Sequence, residues 1–142
     1  VSISLLIEKY WHFFDLRKLA IERNVSVSKL ISPVKTGKIA IGCTICEDVW
    51  DKDYHTSPIT VLSRKKADIF VNISSSPFTA GKAGKRARIF SANAARLGKP
   101  VFFVNNVGIQ NNGKTIFTFD GSSCIYDAKG SVVKSARMFE ET

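Results

Sequence analysis

The tripeptide Cys46-Glu47-Asp48 combines residue types that can carry out chemistry. It follows directly on an apolar, β-rich run at residues 38–45, and Trp50 comes two residues later. A cysteine placed where a buried strand turns into a loop can present its thiol to a substrate, while nearby backbone N–H groups face an oxyanion. Cys46 is therefore a candidate nucleophile. Packing is the competing interpretation, because cysteine is among the residue types most often buried.

The three cysteines, Cys43, Cys46 and Cys124, are odd in number and fit no disulfide framework. Cys43 and Cys46 form a C-x-x-C pair. No second cysteine pair and no nearby histidine pair completes the four ligands that a zinc ion needs. We therefore predict no metal site, and we interpret Cys43 and Cys124 as packing residues.

Length and composition favour one soluble globular domain. The chain has 142 residues, of which 44% are hydrophobic. No apolar run approaches the roughly 20 residues that span a bilayer, and the first residues lack the pattern of a signal peptide. We therefore expect a cytoplasmic protein with no membrane partner.

The net charge of +9 raises the question of a nucleic-acid partner. Five of the basic residues fall in one predicted helix: Lys82, Lys85, Arg86, Arg88 and Arg96. Aromatic residues are not interleaved with them as stacking platforms, and no nucleic-acid-binding motif is present. We therefore interpret this group as a solvated helix face, or as a surface that contacts another part of the protein, and do not expect nucleic acid as a partner.

Hydrophobic patterning predicts two strand-helix units followed by a series of short strands. Strands are predicted at 38–45, 68–73, 100–105, 115–119, 122–127 and 131–135, and helices at 56–67 and 81–97. This order is typical of an α/β protein whose sheet is partly parallel and partly antiparallel. A helix is also predicted at 10–23 and a polar loop at 108–113, whereas 25–35 shows no clear period.

Four segments of the sequence, and the order in which they occur, indicate a protein family. They are 42–50 (GCTICEDVW), 67–78 (ADIFVNISSSPF), 98–110 (GKPVFFVNNVGIQ) and 119–123 (FDGSS). Together they resemble the nitrilase, or carbon–nitrogen hydrolase, family, and within it the glutamine-hydrolysing domains of glutamine-dependent NAD synthetases. The resemblance extends over about residues 37–141. Any one motif is weak evidence, but four in the same order are specific.

The resemblance implies a fold, a reaction and roles for particular residues. The fold is part of an α-β-β-α sandwich with mixed sheets, occupying 37–142 after an atypical N-terminal segment at 1–36. In the family a Glu-Lys-Cys triad hydrolyses the glutamine side-chain amide through a cysteine thioester. Here Cys46 would be the nucleophile, and the substrate-binding residues would be Glu47, Ser76, Trp50 and Phe78.

Each substrate-binding assignment has a structural alternative. Glu47 would contact the amino group of glutamine, or else accept local hydrogen bonds. Ser76 would hold the polar end of the substrate, or else only shape a Ser-Pro turn. Trp50 and Phe78 would form the apolar wall of the pocket, although large aromatic residues are often core.

The N-terminal segment departs from the family pattern. Nothing in residues 1–37 resembles the motifs that carry the glutamate and lysine of the triad; Glu8, Lys9 and Glu22 are the nearest candidates. We therefore expect this chain alone to hydrolyse glutamine negligibly. Another nitrilase-family amidase, or a catalytically silent binding module with this fold, remains an alternative.

The resemblance also implies partners. The expected ones are glutamine, a synthetase domain that uses the ammonia, and further copies of the chain in a homo-oligomer. No cofactor is expected in this chain, because the S-G-G-x-D-S loop for ATP is absent; ATP and magnesium would belong to the synthetase domain.

Asp120 and Gly121 are predicted to form a turn. Asn105 and Gln110 are candidates for polar residues near a subunit contact, although a buried Asn at a strand end often pairs with backbone.

Overall fold

The computed structural model describes residues 16–50 and 56–141. The chain divides into two compact units, Val1–Val71 and Asn72–Thr142. Strand β3, Ile69–Ser74, contributes to both units. The main sheet has mixed parallel and antiparallel strands, as predicted, and follows the order β1-β2-β3 in the first unit and β3-β4-β7-β8 in the second.

Among its described residues, the first unit contains three α-helices and the strands that lead to Cys46. Its elements are α1 (Leu16–Glu22), α2 (Val27–Leu30), β1 (Val34–Thr36), β2 (Ile39–Ile45), a 3-10 turn (Cys46–Val49) and α3 (Pro58–Arg64). β1 and β2 form an antiparallel pair. At the start of α3, the Ser57 hydroxyl accepts a hydrogen bond from the Thr60 N–H, and Pro58 occupies the first turn, where its missing N–H has no cost.

Helix α3 and strand β3 supply the core against which β2 lies. Ile59 and Leu62 of α3 and Phe70 of β3 are fully buried. Gly42 of β2 is required here, because a Cβ atom at that position would lie 2.7 Å from the Phe70 ring. This close contact fixes the strand that ends at the candidate nucleophile.

The second unit contains one long helix and five further strands. Its elements are α4 (Lys82–Leu97), β4 (Val101–Asn105), β5 (Val107–Asn111), β6 (Ile116–Asp120), β7 (Cys124–Tyr126) and β8 (Val132–Ser135). β4, β7 and β8 pair antiparallel in the main sheet, while β5 and β6 form a separate hairpin. Helix α4 ends at Gly98, which adopts the left-handed conformation as the sequence pattern predicts.

Aromatic packing joins α4 to the strands of its own unit. The Phe90 ring of α4 lies 4.6 Å from the Phe103 ring of β4 and 6.2 Å from the Tyr126 ring of β7, measured between centroids. All three side chains are buried. Burial raises the pKa of the Tyr126 phenol, and a hydrogen bond with Cys124 acts in the same direction.

No described helix is long and apolar enough to span a membrane.

The predicted elements recur with shifted ends, and three short elements were missed. α2, β1 and β5 were not predicted, and β5 occupies most of the predicted loop at 108–113. β5 is largely exposed and polar, so its pairing with β6 and not a hydrophobic pattern makes it a strand. Of the helix predicted at 10–23, α1 confirms the part that the structure describes; residues 10–15 lie outside the described residues.

The burial of the central strands also differs from the prediction. Continuous apolar runs indicated strands buried on both faces, yet each strand buries mainly alternate residues. In β3 the side chain of Phe70 is fully buried, whereas Ile73 is 54% exposed. In β4, Val101 is buried and Val104 is 46% exposed. The apolar runs place hydrophobic residues on both faces of each strand, but the described residues of each unit bury mainly one face.

Candidate active site

Cys46 lies immediately after β2 and opens the 3-10 turn, as the sequence predicts. Its backbone is left-handed, with a φ of 40°, which is uncommon for any residue other than glycine. Such a conformation costs about 1–3 kcal/mol and persists only where surrounding structure enforces it. The side chain is half-buried. A sharp turn therefore places the Cys46 thiol at the end of the strand, where it keeps access to solvent.

Asp48 holds this turn in place. Its side chain is buried, and its Oδ2 accepts a 2.8 Å hydrogen bond from the backbone N–H of Ile45, the last residue of β2. The Trp50 N–H closes the turn with a 2.9 Å bond to the Glu47 carbonyl. Asp48 was not among the predicted site residues. The sequence did single out Asp48 as part of the Cys46-Glu47-Asp48 tripeptide, but it gave no sign that its carboxylate would hold the turn.

The other residues around Cys46 differ in exposure. The Glu47 side chain is exposed and Trp50 is half-buried, so both can meet a ligand at the turn. Cys43 is half-buried within β2, and burial raises the pKa of its thiol. A raised pKa keeps Cys43 protonated at neutral pH, which agrees with its interpretation as a packing residue.

In the second unit, the segment after β3 holds Ser76 in a fixed position. Ser76 is 5% exposed, and its N–H donates a 2.9 Å hydrogen bond to Oδ1 of Asn105. The Nδ2 of Asn105 donates in turn to the Ser76 carbonyl at 3.4 Å. Within the described residues of this unit, the Ser76 hydroxyl makes no hydrogen bond. The backbone of Ser76 is thus restrained while its hydroxyl remains available.

Phe78 lies two residues further along and is held by β6. Its N–H donates a 2.7 Å hydrogen bond to the Thr118 carbonyl, and its ring is 42% exposed. The ring of Phe139 meets it edge to face, with centroids 5.4 Å apart. Phe78 is therefore a surface residue of its unit, and its ring can contact a ligand.

A buried ion pair corrects two expectations from the sequence. Arg86 was placed on a solvated helix face and Asp120 in a turn, but their side chains are only 4% and 1% exposed and form a bidentate pair. Asp120 is the last residue of β6, and the turn residue is Gly121, with a φ of 63°. The Arg86 guanidinium also lies 5.4 Å from the centroid of the Phe103 ring. The sequence gives no signal that distinguishes Arg86 from the other basic residues of α4, so its burial could not be predicted.

The pair determines the charge state of Asp120. Burial alone would raise the pKa of this carboxyl, but the hydrogen bond and charge of Arg86 outweigh that effect and hold its pKa below the ordinary value. A hydrogen bond from the Ser122 hydroxyl, 3.3 Å from Oδ2, acts in the same direction. Asp120 is thus a permanent anion at neutral pH.

The predicted site residues fall into two groups, one in each unit. Cys46, Glu47 and Trp50 share the turn after β2, while Ser76 and Phe78 share the segment after β3. Of the candidates for the other triad members, Glu22 is exposed on α1, whereas Glu8 and Lys9 lie outside the described residues.

The class of protein follows from a comparison with family models. The model for the carbon–nitrogen hydrolases matches residues 8–142, and the chain belongs to that family. A solved carbon–nitrogen hydrolase from Helicobacter pylori shares the fold, with a TM-score of 0.68 and 24% identity over 78% of this chain and 41% of that one.

Relatives within the family are glutamine-dependent NAD+ synthetases. The enzyme of Synechocystis is 33% identical over 110 residues, which is 72% of this chain and 19% of that protein. The enzyme of Thermotoga maritima is 35% identical over 109 residues, or 76% of this chain and 18% of that protein. The chain therefore spans about a fifth of the length of these relatives.

A solved structure supports the same relationship. The glutamine-dependent NAD+ synthetase of Acinetobacter baumannii superposes with a TM-score of 0.67 at 28% identity, covering 78% of this chain and 19% of that one. The chain is thus a portion of a carbon–nitrogen hydrolase domain and is similar to part of these glutamine-dependent synthetases.

Proposed function

We propose that this chain is the glutamine-hydrolysing, ammonia-supplying portion of a glutamine-dependent NAD+ synthetase, with Cys46 as its nucleophile. The observation that carries the proposal is the left-handed backbone of Cys46 at the end of β2. Strain of this kind clusters at functional sites, because a well-packed turn can hold a reactive group where relaxed backbone would not. The similarity to the glutamine-dependent synthetases supports glutamine as the substrate.

In the proposed reaction the Cys46 sulfur attacks the side-chain amide carbon of glutamine. The thiol proton passes to a general base and then to the amide nitrogen, so that the carbon–nitrogen bond breaks and ammonia leaves. Water then attacks the resulting γ-glutamyl thioester, releases glutamate and restores the thiol. Backbone N–H groups beside such a turn are suitable donors to the oxyanion that forms in each half of the reaction.

Four residues are assigned to substrate binding in this proposal. The exposed carboxylate of Glu47 binds the amino group of glutamine, and the available hydroxyl of Ser76 binds its polar end. The half-buried ring of Trp50 and the exposed face of Phe78 provide apolar contact with the methylene groups between them.

Partners follow from the same proposal. Ammonia passes to a synthetase domain, which uses it with ATP and magnesium, and no residue of this chain is assigned to either cofactor. Copies of the chain associate in a homo-oligomer.

Covalent labelling tests the proposal directly. A diazoketone analogue of glutamine should alkylate Cys46 in preference to Cys43 and Cys124, and added glutamine should slow this labelling. The site of labelling is mapped by mass spectrometry, with Cys46→Ala and Cys43→Ala as matched variants. Equal labelling of the three cysteines would remove the case for Cys46. Protection by simple aliphatic amides but not by glutamine would instead indicate a different amidase.

Turnover is expected to be slow in the chain by itself. A general base and a cation that stabilises the tetrahedral intermediate each contribute factors of roughly 10² to 10⁴. No segment of the sequence resembles the motifs that carry these two groups in the family. Ammonia release from glutamine should therefore barely exceed that of the Cys46→Ala variant; robust, Cys46-dependent release would show that a substitute base is present.

A further inference from the structure

Asn105 binds three backbone groups from two different segments of the second unit. It is the last residue of β4 and is 8% exposed. Its side-chain Oδ1 accepts from the Ser76 N–H at 2.9 Å, while its Nδ2 donates to the carbonyls of Ser76 at 3.4 Å and Gly121 at 3.0 Å. One amide side chain thus fixes both backbone groups of Ser76 to the start of the turn that follows β6.

The buried ion pair sets the orientation of this amide. Oδ1 of Asp120 lies 3.5 Å from Nδ2 of Asn105, and the same carboxylate is held by Arg86. If the amide rotated by 180°, its Oδ1 would face the Asp120 anion and the Gly121 carbonyl. That arrangement is repulsive, so the carboxylate selects the rotamer in which Oδ1 points towards the Ser76 N–H.

We propose that Asn105 is a positioning residue for substrate recognition, acting through Ser76. This inference rests on the proposed function, because it requires that the Ser76 hydroxyl contacts glutamine. Because its N–H and carbonyl are both engaged by Asn105, the backbone of Ser76 cannot shift without breaking two hydrogen bonds, which leaves its hydroxyl only rotation about the Cα–Cβ bond. A hydroxyl carried on a fixed backbone binds its ligand with less loss of conformational freedom than one on a mobile loop.

The variant Asn105→Asp tests this role, because it keeps the size of the side chain and its acceptor while replacing the donor Nδ2 with a second oxygen. That oxygen faces the Ser76 carbonyl, the Gly121 carbonyl and the Asp120 anion, so the Ser76 segment should loosen. Ser123→Ala is the matched control. It removes the 3.0 Å hydrogen bond that the Asn105 N–H donates to the Ser123 hydroxyl but leaves the contacts with Ser76 intact.

The readout is the inactivation of the full chain by the diazoketone analogue of glutamine, followed as labelling of Cys46. The concentration giving half-maximal rate should rise about tenfold in Asn105→Asp, the effect of one misplaced hydrogen bond, and should stay unchanged in Ser123→Ala. Labelling by iodoacetamide, which needs no recognition of glutamine, should stay within about twofold. If the role of Asn105 were purely structural, the labelling of Cys46 by both reagents would change together, because a disturbed fold alters the Cys46 turn for either reagent.

The outcomes separate the two proposals. If the unaltered chain shows no saturable labelling of Cys46, the proposed function fails and the role of Asn105 fails with it. If the unaltered chain saturates and Asn105→Asp saturates at the same concentration, only the positioning role is overturned. Hydrogen exchange on the unaltered chain decides the case if the variant does not fold. The Ser76 amide should exchange far more slowly than that of exposed Thr79, and equal rates would refute the restraint.

Discussion

Replacing Asp120 by Asn should destabilise the chain severely, although the two side chains have the same shape. The substitution leaves the Arg86 guanidinium buried without its counter-charge, and it turns one of the two acceptors into an amide donor that faces another donor. Both side chains are almost fully enclosed, at 4% and 1% exposure, so water cannot replace the lost partner. Removing one member of a buried pair costs about 3–5 kcal/mol.

That cost is a large part of the 5–15 kcal/mol by which domains of this size are typically stable. Urea denaturation of the full chain, followed by circular dichroism, gives the free energy of unfolding for each variant. The matched control is Glu140→Gln, which removes the anion of the Arg137–Glu140 pair, whose side chains are 82% and 52% exposed. Solvent screens that pair, so its loss should hardly change the urea midpoint.

A double variant separates the charge from the shape. If the penalty arises from an unpaired buried guanidinium, adding Arg86→Met to Asp120→Asn should recover much of the lost stability. The reasoning would be refuted if Asp120→Asn cost no more than Glu140→Gln. It would also be refuted if the double variant were as unstable as the sum of the two single variants.

Three further predictions concern pH, the cysteines and the glycines. The pKa of Asp120 is lower in the folded than in the unfolded chain, so the ionised carboxylate stabilises the fold fully above the unfolded pKa of about 3.9. This stabilisation is lost as the pH falls through the folded pKa. The urea midpoint of the unaltered chain should therefore drop as the pH falls below about 3.9, and the midpoint of Asp120→Asn should drop less. Iodoacetamide should label Cys46 faster than Cys43 at neutral pH, and the disadvantage of Cys43 should shrink as pH rises towards its raised pKa; equal rates at pH 7 would contradict this. Gly42→Ala should destabilise by about 1–3 kcal/mol, because its Cβ would lie 2.7 Å from a core ring. The control Gly84→Ala within α4 has no neighbour closer than 3.8 Å and should stabilise by about 0.5–1 kcal/mol, as seen by thermal denaturation.

The regular elements were predictable because their signals are local. Helix α4 combines apolar positions at helical spacing with a terminal glycine, and β2 is a short apolar run before a polar cluster, so either can be read from a few adjacent residues. β5 was not predictable in this way. Its sequence, VGIQN, has the composition of a loop, and it forms a strand because β6 provides five paired positions.

In the candidate site, too, the features with a local sequence signal were predictable and the others were not. Cys46 could be predicted from its position at the end of an apolar run and from the surrounding motif, and the structure places it directly after β2. The left-handed backbone of Cys46 and the hydrogen bond from Ile45 to Asp48 could not be predicted, because neither leaves a residue pattern that ordinary turns lack.

Asn105 shows why the supporting residues of a site are the hardest to predict. Its contacts join Ser76, Asp120 and Gly121, which lie 15 to 29 positions away along the chain. In the sequence, each of the polar residues involved has an ordinary local explanation: Ser76 precedes a proline in a turn, Asp120 precedes a glycine, and Asn105 is a polar residue at a strand end. The turn predicted for Asp120 was an incomplete explanation, because the energy of a buried polar group depends on the distant partners that satisfy it. A buried Asn that binds the backbone of Ser76 is therefore a better guide to the role proposed for Ser76 than the identity of any exposed side chain in the same unit.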